Sequence, residues 1–186
     1  MNTDTLLLYT LVAFFYVTSP GPAILLSIFN GLRSNMQIVA ISSFANVLGL
    51  AVLSIASILG LGVVLTTSSM LFMIVKFIGA FYLMYLGIKF IKNNKALSFD
   101  DNKRVDKNKT KLSYFLESFF LAVTNPKPIL FFTAIFPQFL NLDIDIFPQF
   151  TIMTLIFLSI SFSSLCVYGL VAKRSKVWLA NNNRMT

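Results

Sequence analysis

The chain has 186 residues and a formal charge of +8, with 56% hydrophobic residues and only 12% charged. A soluble domain carries about 25% charged residues, so a cytosolic globular enzyme is excluded as the starting expectation. There is no histidine and a single cysteine, Cys166, which removes histidine bases, Ser-His-Asp triads, intrachain disulfides and thiolate metal clusters. No glycine-rich phosphate loop ending in Gly-Lys-Ser/Thr is present, so neither a nucleotide nor any other cofactor is expected. The basic excess lies between apolar runs rather than in a nucleic-acid-binding patch, which makes the lipid bilayer the expected partner and nucleic acid an unexpected one.

Crossing the hydrocarbon layer takes about 20 mostly apolar residues. Five stretches qualify as helical spans: Leu6 to Phe29, Ile38 to Val64, Met70 to Ile91, Leu112 to Phe136 and Pro148 to Ala172. The first follows Asp4 rather than a basic residue and runs through Pro20-Gly21-Pro22 without a small-residue cleavage site. It therefore reads as a membrane helix and not a signal peptide. Arg33 lies in the first loop, Lys89 to Lys111 supply the basic residues of the third, and Lys173, Arg174, Lys176 and Arg184 follow the fifth span. The N-terminus, the turn at 65–69 and the loop Pro137 to Phe147 hold no basic residue. Basic loops stay in the cytoplasm, so the expected topology is N-terminus outside and residues 93–111 inside.

That third loop is the polar, low-complexity segment and reads as a linker between two halves, 1–92 and 112–186. The first span is broken at Pro20, 14 residues after Leu6, and the fourth at Pro126, 14 residues after Leu112. The two run in opposite directions, the pattern of an inverted repeat with paired interrupted helices, which points to a transporter's binding site. On this repeat a sixth helix is due near residue 180, where the chain reads Ala180-Asn-Asn-Asn-Arg-Met-Thr186. The second repeat is thus expected to lack its last helix, with the stretch after Ala172 lying on the membrane surface and an open face available to lipid or to a second copy, a homo-oligomer.

Ser19-Pro20-Gly21-Pro22 removes two backbone donors inside a span, and the freed groups either are satisfied as a kink or line a substrate site. Thr124-Asn125-Pro126-Lys127-Pro128 repeats the break and adds an amide and a cation about 22 Å along its helix. A lysine at that depth costs at least about 2.5–3.5 kcal/mol, so it either binds substrate or bonds carbonyls released by its own prolines. Lys76 and Glu117 lie closer to span ends. Glu117 is the one carboxylate within a predicted span and so the candidate proton carrier. Ala45, Gly49, Ala56 and Gly60 form a small-residue stripe suited to close helix packing. Lipid-facing surface is expected to absorb the 20 phenylalanines.

Ser19-Pro-Gly-Pro22, Gly79-Ala-Phe-Tyr-Leu-Met-Tyr-Leu-Gly87, and Thr124-Asn-Pro-Lys127 followed by Phe136-Pro-Gln-Phe139 occur in this order across residues 6–172. In these motifs the chain resembles the LysE/RhtB family of bacterial amino-acid exporters. It departs from the family pattern at Asn35, Val39 and Ala45, where glycines are usual, and at Ala23 and Ala122, where asparagines are common. The resemblance implies an all-α integral membrane protein of two inverted three-helix repeats in the bacterial inner membrane, not an enzyme. It also implies export of amino acids or related small metabolites driven by the proton-motive force. Its substrate site is expected at Ser19, Pro20, Gly21, Pro22, Asn125, Pro126 and Lys127, with Glu117 in proton coupling and no metal. The alternative reading is a non-transporting membrane scaffold or a truncated inactive relative.

Overall fold

A computed structural model describes residues 2–67 and 109–182, with side chains at 2–60 and 109–176. The expected span Met70 to Ile91 with Lys76, the Gly79 to Gly87 motif and most of the linker 93–111 lie outside the described residues. Every described element is helical, as expected of an all-α membrane protein.

Helix α1 (Thr3–Thr18) and α2 (Pro22–Arg33) meet at a bend of 55°. Helix α3 (Met36–Thr67) returns without interruption. Helix α4 (Lys111–Thr124) bends by 41° into α5 (Pro126–Leu130), which continues as a π turn, Phe131–Ile135, and a 3₁₀ turn, Phe136–Phe139. Helix α6 (Ile146–Asn182) closes the order. Among the described residues, two uninterrupted helices and two bent pairs make up to four spans if each pair crosses once. The stretch after Ala172, expected to lie along the surface, instead continues α6, and Lys176 Nζ donates to the Leu32 carbonyl at 2.8 Å.

The breaks follow from missing donors. Proline has no N–H, so Pro20 and Pro22 orphan the carbonyls of Tyr16 and Thr18 four residues earlier. The Ser19 hydroxyl donates to the first at 2.8 Å and the Tyr168 hydroxyl to the second at 2.9 Å. Both α2 and α5 restart with proline in the first turn, the position where the absent N–H costs nothing. In the π turn Phe136 N–H bonds the Phe131 carbonyl, so the next carbonyl, Phe132, would look to Pro137. It receives the Ser57 hydroxyl instead, at 2.7 Å.

Packing is closest where side chains are smallest. A Cβ on Gly31 would lie 2.1 Å from the Gly169 carbonyl oxygen, so α2 and α6 touch backbone to backbone. A Cβ on Gly49 would lie 2.8 Å from both Ala122 Cβ and the Phe119 carbonyl oxygen, fixing α3 against α4. The expected stripe is half right: Ala45 is buried, but Ala56 and Gly60 are exposed. The phenylalanine expectation needs the larger correction. Phe131, Phe132, Phe136 and Phe157 are buried around Tyr9, with ring centroids as close as 4.4 Å for Phe131 and Phe157. The π turn explains this, because its wider spacing turns two successive phenylalanines into the core. The Tyr9 hydroxyl finds the Met153 carbonyl at 2.9 Å.

The two ends of the bundle differ in charge. One gathers the end of α2, the start of α4 and the end of α6, tied by Lys176 to Leu32 and by Ser34 to Tyr114, with 3.2 Å between the two hydroxyls. Its residues include Arg33, Lys109, Lys111, Lys173, Arg174 and Lys176. The other holds Asn2, Asp4 and the loop with Asp143 and Asp145, which Gln149 pins by bonds to Asn141 and Asp145 at 2.9 Å. Among the described residues, that end has no lysine or arginine.

Candidate functional site

The two breaks meet. Lys127 Nζ donates to the Ser19 carbonyl at 2.6 Å and to the Ser19 hydroxyl at 2.8 Å, and the Tyr16 hydroxyl donates back to the Lys127 carbonyl. The lysine also sits over the Tyr16 ring, 5.2 Å from its centroid. The carbonyl that Lys127 takes is not one freed by its own prolines, the structural expectation from the sequence, but belongs to the other break. A Cβ on Gly21 would lie 3.3 Å from Lys127 Cδ, so glycine there lets the lysine stem cross the chain.

Beside this junction lies a cavity that is partly open to its surroundings. Its walls come from both bent pairs and both long helices. The apolar part is formed by Val17, Ile24, Leu50, Ala122, Phe157 and Leu165, and the polar part by Lys127, Asn125, Asn46, Ser161 and Ser164. Ser164 Oγ is buried and has no hydrogen-bond partner. Helix α2 begins here with no side-chain cap on Gly21. The amides of its first turn, at Ala23 and Ile24, belong to residues on the cavity wall.

Of the residues expected from sequence, Gly21, Asn125 and Lys127 line the cavity, and Ser19 holds the lysine. Asn125 Oδ1 accepts from Lys127 N–H at 3.1 Å, so half of that amide caps α5. Pro20, Pro22 and Pro126 are exposed and shape the breaks rather than line the cavity. Glu117 is elsewhere: it pairs with Lys109 on α4's outer side, with 43% of its side chain exposed. Sequence reasoning missed Tyr16, Tyr168, Asn46, Ser161 and Ser164. The tyrosines could have been sought as donors for the carbonyls that the prolines orphan, whereas the serines carry no local signal.

Against protein families, residues 14–186 match the model described as LysE type translocator. The chain belongs to the LysE type translocator family. The family's match agrees with the broken helices and with the resemblance read from the motifs. This LysE-family chain is 27% identical over 186 residues to an uncharacterized membrane protein of Vibrio cholerae, covering 100% of the chain and 89% of that relative. It is 32% identical to the uncharacterized membrane protein YrhP of Bacillus subtilis, covering 96% of the chain and 88% of the relative. A leucine efflux protein of Salmonella typhimurium is 30% identical over 133 residues, which span 72% of the chain and 62% of that protein. No solved structure matches the LysE-family chain.

Proposed function

We propose that this member of the family exports an amino acid, with an aliphatic side chain preferred, and that the cavity between the two breaks is its site. One observation carries the reading: a lysine ammonium and an uncapped helix start converge on one cavity, and no described carboxylate lines it. A partly buried positive charge and free amides call for an anion, which a substrate carboxylate supplies. The Ser161 and Ser164 hydroxyls and the Asn46 amide accept from its ammonium group. The apolar wall suits a hydrocarbon side chain, in line with the leucine efflux relative. Ser19, Pro20, Pro22 and Pro126 act by holding the breaks open.

Residues 1–92 and 112–186 serve as inverted repeats joined by 93–111, with the basic end of the bundle facing the cytoplasm of a bacterial inner membrane. Efflux draws on the proton-motive force, with Glu117 as the carboxylate at the basic end rather than a substrate contact. The test is efflux of labelled leucine from proteoliposomes with and without a proton gradient. Gradient-dependent loss supports the reading, and absence of efflux from well-inserted protein favours a membrane scaffold instead.

A further inference from the structure

A second, smaller cavity adjoins the Lys127 pocket and shares Ala23, Asn46 and Leu165 with it. Its polar lining is Ser27 on α2, Ser42, Ser43 and Asn46 on α3, and Ser118 on α4. All five side chains are at least nine-tenths buried. Ser27 donates to the Leu165 carbonyl, and Ser42 accepts from Asn30 Nδ2 at 3.0 Å. Among the described residues, Ser43 Oγ and Ser118 Oγ have no hydrogen-bond partner, although they are 1% and 2% exposed. Asn30 Oδ1, behind Ser42, is likewise unpartnered.

An unsatisfied buried hydroxyl costs about 1–3 kcal/mol, and hydroxyls on three helices facing one space are cheap only if that space is wet. The space has room for about one ordered water at a time, which can bridge hydroxyls on different helices. No described charged residue lines the cavity, which therefore favours neutral polar guests over ions. It also lies on the basic side of the pocket, since Ser27 and Asn30 precede Arg33 by two turns or less and Ser118 follows Lys111 by two. Elsewhere on the pocket wall, Tyr16 and Phe157 pack against Phe131 of the buried ring cluster with Tyr9, Phe132 and Phe136. We infer that this serine-lined cavity is a hydrated, charge-free antechamber, through which a neutral or zwitterionic solute passes between the basic end and the Lys127 pocket. The passage of solute rests on the transporter reading above; the hydration does not.

The test uses thiol reactivity. Cys166 is the chain's one cysteine, so Cys166→Ser gives a thiol-free background for the full chain. Ser43→Cys, Ser118→Cys and Ser164→Cys then report the antechamber at two positions and the pocket at one. Phe44→Cys, next to Ser43 but 53% exposed on the lipid side, is the reference. Two antechamber positions on different helices guard against one substitution that disturbs folding, and each protein is checked for monodispersity first. A small neutral reagent, methyl methanethiosulfonate, is added from the basic face of the membrane. It reacts only with ionised thiols, and thiols ionise in water rather than lipid, so Ser43→Cys and Ser118→Cys should react at least about tenfold faster than Phe44→Cys. Excess leucine should slow the reaction at Ser164→Cys. If Ser164→Cys reacts while both antechamber thiols match Phe44→Cys, the antechamber is dry and the inference falls, with the pocket untouched. If all three match Phe44→Cys, the inference and the pocket reading fall together. Leucine that leaves Ser164→Cys unprotected while the antechamber reacts overturns only the substrate assignment.

Discussion

Lys127 and Ser19 are 108 residues apart in sequence, yet the lysine ammonium donates to both the carbonyl and the hydroxyl of that serine, at 2.6 and 2.8 Å. One side chain thereby closes the junction of two broken helices and presents its charge to the cavity they enclose.

Replacing that charge should separate binding from folding. Lys127→Met keeps an apolar stem and removes an ammonium that is costly in the membrane, so insertion and yield should hold or rise. Loss of a charge-assisted bond to the substrate, worth about 1.5–3 kcal/mol, should weaken leucine retention roughly ten- to hundredfold. Lys127→Arg keeps charge but brings a planar fork to a site built around a point donor, and should recover only part of the loss. Equilibrium binding of labelled leucine in detergent reads both variants, and wild-type affinity in Lys127→Met would leave the lysine as a helix-junction clasp alone.

Gly31 and Gly60 should respond oppositely to the same methyl group. The Cβ of Gly31→Ala would meet the Gly169 carbonyl oxygen at 2.1 Å, whereas Gly60 has nothing within 4 Å. Overpacking of about 1–3 kcal/mol predicts a melting temperature lower by roughly 3–10 °C for Gly31→Ala. Gly60→Ala should match or exceed the parent, since alanine is the better helix former. Thermal scans of the two purified variants decide it.

Topology follows from the charge difference between the two ends. In the thiol-free background, Asp143→Cys should be reached by an impermeant reagent from outside intact cells, and Ser175→Cys only after the membrane is inverted. Both positions are exposed, so accessibility reads sidedness and not burial. The reverse pattern would invert the orientation and the direction of export.

Glu117 separates coupling from binding because it is paired with Lys109 away from the cavity. Exchange of leucine across the membrane needs no net proton movement, whereas uphill efflux does. Glu117→Gln should therefore slow gradient-driven efflux while leaving counterflow exchange near the parent rate. Full gradient-driven efflux by this variant would remove Glu117 from the coupling route.

Legibility in the sequence follows the range of the forces concerned. Pro20, Pro22, Pro126 and Pro128 act within four residues, so both breaks could be read directly, and the depth of Lys127 followed from counting residues along a helix. The partner of that lysine could not be read, because Ser19 reaches it only through the crossing of two helices. Tyr168 was hidden for the same reason: its hydroxyl serves a carbonyl 150 residues earlier. The end of α6 was misplaced since Lys173, Arg174 and Lys176 look like a stop in the hydropathy profile, but charge ends the membrane layer and not the helix. Phe131 and Phe132 belong to the core and not to the lipid-facing surface expected for the phenylalanines, and nothing in the local sequence announces the π turn that holds them there.

The Lys127 charge, unmatched by any described carboxylate lining its cavity, also bears on how the protein responds to voltage. A full charge moved across the membrane field is worth about 2.3 kcal/mol per 100 mV. A zwitterion adds nothing to the net charge of the site, so the empty and the loaded cavity each carry the same single positive charge. The membrane potential then weights inward against outward orientations of the lysine equally in both cases. Voltage should set how fast the transporter turns over, while leaving the ratio of filled to empty sites unmoved.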